Sequence, residues 1–145
     1  MYRGSHAVLA SLLILASQVG DASCGDTTTK ACWIDTRGVR VERGLVTDVI
    51  TATCDPRPRT HRLDGWLEYR TGPGEQWRRA GDKETGFTRP DAEGFSMRVE
   101  SRQCVPGQYR AAWQATGTGP DPGERPFNYT DADFWGTEVD CREGQ

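Results

Sequence analysis

The chain has 145 residues and a formal net charge of −3, from 18 Lys and Arg against 21 Asp and Glu. That length suits one domain. A balance this mild, with arginines interleaved among acids, lacks the clustered basic face that nucleic acid demands and so argues against a nucleic-acid partner.

The first element is an export signal. Residues 1–6 are short and carry Arg3, residues 7–16 (AVLASLLILA) are apolar apart from Ser11, and residues 18–22 turn polar. Gly20 and Ala22 stand at the −3 and −1 positions of a cleavage site. This order predicts a signal peptide over 1–22 and a secreted, extracellular product, because the apolar run is too short to span a bilayer. No second apolar run follows, so no transmembrane span is predicted. The expected division is an N-terminal segment over 23–37, a domain over 38–141 and a tail over 142–145. Five cysteines, Cys24, Cys32, Cys54, Cys104 and Cys141, all follow the leader. In an exported chain they read as disulfide partners, and the odd count leaves Cys24 over. Cys24 is then a spare or intermolecular thiol, or the lipid-bearing residue of an anchor on the outer face of the membrane. Asp21 speaks against the anchor, since lipoprotein signals carry an aliphatic residue three before the cysteine.

Beyond the leader the apolar pattern has period two, in short runs separated by Gly and Pro, which predicts an all-β fold. Val39-Arg-Val41-Glu42 alternates and Arg43-Gly44 offers a turn. Residues 45–54 (LVTDVITATC) are rich in β-branched side chains and read as a central strand. Two prolines make 55–60 a loop. Residues 63–70 (LDGWLEYR) and 76–80 form a hairpin, and 81–94 read as irregular. Residues 95–100 alternate, 108–116 place Tyr109, Ala111, Trp113 and Ala115 on one face, and 117–126 make a turn-rich connection. Residues 127–130 and 134–141 finish the domain, giving about seven strands.

Gly107-Gln-Tyr109 entering a late strand, and Trp66-Leu-Glu-Tyr-Arg70 followed by Trp77, resemble immunoglobulin-like and fibronectin type III domains. The resemblance covers about 39–139 and implies an antiparallel immunoglobulin-like sandwich. In it the Tyr109 hydroxyl would tie the strand's corner to a nearby backbone group. Ala111 stands where antibody-type domains carry their second cysteine, so that disulfide core is not expected. More loosely, the chain resembles small exported proteins of actinobacteria, a likeness that implies no activity.

Turn positions suggest the disulfides. Cys32 and Cys54 are equidistant from Arg43, beside the Arg43-Gly44 turn, and Cys104 and Cys141 are equidistant from Pro122-Gly123. Residues equidistant from a hairpin turn face each other, so 32–54 and 104–141 are the favoured pairs among the three connectivities that four cysteines allow.

No catalytic constellation emerges, and no enzyme activity and no cofactor are expected. Serines after the leader are few and none lies in GxSxG. His61, the one histidine after the leader, sits among Pro and Arg and reads as a surface loop residue. No CxxC is present, which argues against zinc. Asp131, Asp133, Glu138 and Asp140 cluster, but Trp135 and Arg142 fall where calcium ligands would be needed, leaving a solvated acidic loop and no metal. Asn128-Tyr-Thr130 matches a glycosylation sequon, read as unused in a bacterial chain.

Trp66 carries the strongest signal. If Leu67 and Tyr69 face inward, Asp64, Trp66, Glu68 and Arg70 face outward, with Arg110, Gln114, Asn128 and Thr130 on neighbouring strands. Trp66, Arg70 and Arg110 on one face suit recognition of an extracellular protein or glycan. The bland alternative packs Trp66 beneath the Trp77 hairpin or a loop. The expected function is therefore a secreted, non-catalytic binding or structural module. A hydrolase inhibitor using loop 55–60 or 117–125 as a rigid plug is the competing expectation.

Overall fold

A computed structural model describes residues 32–87 and 94–142. The signal peptide and Cys24 lie outside the described residues. Two antiparallel sheets share one apolar core, an arrangement compatible with a β-sandwich. Among the described residues no helix is long and apolar enough to cross a membrane.

The smaller sheet contains β1 (Cys32–Thr36), β2 (Arg40–Glu42), β3 (Leu45–Cys54) and β7 (Gly94–Glu100). The larger contains β4 (Thr60–Arg70), β5 (Arg78–Arg79), β6 (Glu84–Phe87), β8 (Gly107–Thr118), β9 (Phe127–Ala132) and β10 (Thr137–Val139). Several segments are halves of one interrupted strand. β1 and β2 both lie on the side of β3 away from β7, β5 and β6 on the side of β4 away from β8, and β9 and β10 on the side of β8 away from β4. Ten segments thus follow seven paths, three in one sheet and four in the other.

The expected first hairpin forms. Arg43 and Gly44 turn it with φ of 54° and 78°. Positive φ at both central residues is the two-residue turn whose twist matches the flanking strands, and glycine takes it without a Cβ penalty. Between Arg40↔Thr47 and Thr36↔Ile50 three residues, 37–39, face two, 48–49, and this one-residue bulge brings Cys32 opposite Cys54, to which it is bonded. Cys104 and Cys141 are bonded as well, just outside the ends of β8 and β10. Both pairs match the turn-centred expectation.

The core is built from alternate positions. Val46 and Ile50 of β3, Leu63 and Leu67 of β4, Val99 of β7 and Tyr109, Ala111 and Ala115 of β8 are at most 1% exposed. At Gly65 the sheets approach closely: a Cβ there would lie 2.7 Å from Ile50 Cδ1 and 2.8 Å from Met97 Sδ. Tyr109 closes one end. Its hydroxyl donates to the Val105 carbonyl and accepts from the Val105 amide, both at 3.0 Å. Its ring lies 5.0 Å from that of Tyr69.

Three expectations need correction. β6 forms at Glu84–Phe87 inside the stretch read as irregular, because it completes the ladder along β4 from Arg62↔Phe87 to Gly65↔Glu84. β1 lies within 23–37 and is a full partner of β3. β4 starts at Thr60, three residues early, which places His61 on its inward face at 3% exposure rather than in a surface loop.

Tyr109→Phe deletes one hydroxyl that serves two backbone groups. It should lower stability by about 1–2 kcal/mol while leaving the circular dichroism spectrum intact. An unchanged urea midpoint would show that this corner contributes nothing.

Candidate functional site

The outer face of the larger sheet is set by the pairing of β4 with β8. Trp66 stands opposite Ala112, Glu68 opposite Arg110 and Arg70 opposite Gln108. These side chains lock to one another. Trp66 Nε1 donates to Glu68 Oε1 at 3.3 Å, and Arg110 donates through Nε to Glu68 Oε2 at 2.7 Å, with Nη2 also 2.7 Å away. Arg70 Nε donates to Gln108 Oε1 at 2.7 Å. The guanidiniums of Arg70 and Arg110 each lie 4.4 Å from the Trp77 ring, and that of Arg79 lies 5.1 Å from the Trp66 ring. The Arg110–Glu68 pair is about one-fifth exposed, so water screens it less than a surface pair.

A hollow of about 340 Å³ opens on this face. Its floor is the in-register pair Ala112↔Ala132, two methyl groups amid larger neighbours. Trp66, Glu68 and Arg110 line one side and Phe134 another. Phe134 is brought there by a bulge in the edge strand. Between the pairs Ala112↔Ala132 and Tyr109↔Thr137, β8 spends two residues and the edge spends four, 133–136. The surplus leaves the ladder and displays Phe134 and Trp135, 80% and 81% exposed, with their rings edge to face at 4.7 Å. Bulges re-aim side chains in this way beside functional surfaces.

Of the predicted residues, Trp66 and Arg110 line the hollow together. Arg70 lies beyond it, engaged with Gln108 and Trp77. Trp77 covers Arg70 and Arg110 rather than Trp66, and its ring lies close against Gly136. The roof over Trp66 is Arg79, on the return of the same hairpin. Phe134 and Trp135 were not among the candidate residues that the sequence suggested. The available signal was two adjacent aromatics in a run that cannot keep period two.

Further along the face, Asp64 is 5% exposed and receives Thr85 Oγ1 at 2.5 Å and Arg62 Nε at 3.1 Å, with Lys83 Nζ at 3.5 Å. Burial pushes its carboxyl up, but these hydrogen bonds and charges outweigh burial and hold it below the ordinary carboxylate value.

The loops 55–60 and 117–125 meet at one end of the molecule. Thr60 pairs with Thr118, and the Arg59 amide donates to the Thr118 carbonyl at 3.0 Å. A second hollow of about 580 Å³ lies beside them, lined by His61, Phe87, Phe127 and their neighbours. His61 Nδ1 sits 4.0 Å from Cys54 Sγ, and the ring lies 6.0 Å from both Phe95 and Phe127. Cys32, Cys54 and His61 bring their ligand atoms within 4.8 Å of one another, but the two sulfurs are bonded together and are not the thiolates a metal takes.

No protein-family model, curated protein or solved structure matches the chain.

Burial lowers the His61 imidazole below its ordinary value of 6.5. The folded chain therefore holds it neutral while the unfolded chain takes up a proton. Stability should fall as pH drops through about 6.5, until the lowered folded value is reached. Urea unfolding between pH 7.5 and 5 should show this slope, and His61→Gln should flatten it. Equal slopes in both proteins would place the pH dependence elsewhere.

Proposed function

We propose that this chain is a secreted, non-catalytic binding module of immunoglobulin-like build, meeting an extracellular protein or glycan through the outer face of its larger sheet. Seven antiparallel strand paths divided three and four, and the hydroxyl of Tyr109 bonded to backbone four residues upstream, support the immunoglobulin-like reading. Two disulfides favour an oxidising compartment.

One observation carries the binding reading. An edge bulge holds two aromatic side chains in water beside a hollow that already contains Trp66 and the Arg110–Glu68 pair. Exposed aromatics cost solvation, and aromatic and Arg side chains dominate interface energetics. Arg70 acts one step back, bracing the face through Gln108 and Trp77.

The inhibitor reading keeps one specific support: loops 55–60 and 117–125 lie side by side, the first of them rooted at the Cys32–Cys54 bond. The two readings separate cleanly. With immobilised protein presented with extracellular protein and glycan fractions, Trp66→Ala and Phe134→Ala should each weaken retention by roughly thirtyfold, the effect of a hot-spot truncation of about 2 kcal/mol. Replacing residues 120–124 with Gly and Ser should leave it unchanged. The reverse pattern would favour the inhibitor.

A further inference from the structure

We infer that the hollow beside Trp66 is a subsite for one ring of a neutral oligosaccharide. This rests on the binding-face reading above and names the chemistry of its ligand.

Size comes first. About 340 Å³ is at the low end of small-ligand sites, room for a sugar ring or two. The hollow opens on the sheet surface, so a longer chain can enter and leave it.

The lining has the two features a pyranose ring requires. One is aromatic surface for the ring's C–H face, offered by Trp66 and Phe134 on different sides of an alanine floor. Aromatic side chains combine a large apolar body with little conformational freedom to lose. The other is a rim of hydrogen-bonding groups. Glu68, Arg110 and Thr130 supply carboxylate, guanidinium and hydroxyl groups around the floor.

Charge indicates a neutral ligand. Glu68 and Arg110, the charged pair of the lining, neutralise each other directly. Preorganisation points the same way. Both Glu68 oxygens already hold partners, Trp66 on one and Arg110 on the other, and Trp77 stacks on that guanidinium. Groups fixed before the ligand arrives lose little entropy on binding, which weakly bound neutral hydroxyls need.

The experiment titrates the disulfide-bonded protein with β-1,4-linked glucose and N-acetylglucosamine tetramers, the α-1,4-linked glucose tetramer, and an anionic galacturonate tetramer. Tryptophan fluorescence and amide chemical shifts report binding. At least one neutral tetramer should bind saturably at millimolar concentration or below, moving amides around 66, 110–112 and 130–134. Ala132→Leu, which fills the floor, and Phe134→Ala, which strips one wall without adding bulk, should each weaken it at least about tenfold. Shifts centred on His61 and Phe127, or binding indifferent to Phe134→Ala, would overturn the assignment of the site. Equal binding of the anionic tetramer would overturn its neutrality. If no sugar binds but a protein is retained in a Trp66-dependent way, the sugar inference falls and the binding face stands. If neither binds, both fall.

Discussion

Everything on this molecule hangs on the ladder between β4 and β8, which runs unbroken from Thr60↔Thr118 to Arg70↔Gln108. Side chains alternate across a sheet, so this one pairing sets both surfaces together. Leu63, Leu67, Tyr109, Ala111 and Ala115 enter the core from it. Trp66, Glu68, Arg70, Gln108, Arg110 and Ala112 leave on the other side. A slip of one residue would exchange the two sets and place charge in the core, so burial of five apolar side chains fixes the geometry of a polar face that contributes little to stability itself. The outer face inherits its rigidity from the core beneath it.

The outer face also gives arginine a physical role that its abundance in the sequence did not reveal. Arg70 and Arg110 stack on Trp77, Arg79 on Trp66 and Arg62 approaches Phe87. A planar guanidinium can lie on a ring and still direct N–H groups sideways to a carboxylate, as Arg110 does to Glu68. Lysine has no such plane. The face is a lattice of rings and guanidiniums with acids at the nodes, and its open end is the hollow, where two alanines break the lattice.

Alternation made the central strands legible because it is a local rule that tertiary packing reinforces, and turn positions picked out the disulfide pairs even though bulges shift the register of both hairpins. His61 shows where such reasoning stopped. Prolines at 56 and 58 read as a loop extending past residue 60, yet β8 is long enough to pair with Thr60 and draw His61 inward. Glu84–Phe87 holds Thr-Gly between a charge and an aromatic, with no apolar alternation to announce a strand; its order comes from β4. Phe134 and Trp135 were visible as residues but not as a bulge, since two surplus residues emerge only when the registers of β9 and β10 are counted against the same strand. Trp66 and Arg110 were placed together by face parity alone, whereas the roof formed by Arg79 depends on how the hairpin folds back.

The positions of the two disulfides have a mechanical meaning. Cys32 begins one outer strand and Cys141 follows the end of the other, and each is bonded at the root of its own hairpin, to Cys54 and Cys104. Tension entering at Cys32 and Cys141 therefore passes across the bonds into the ends of β3 and β8. The outer strands cannot be peeled away one hydrogen bond at a time. The load falls instead as shear along β3–β7 and β8–β4, where many hydrogen bonds must yield together. A domain stapled in this pattern is suited to carry force while keeping its exposed face in register.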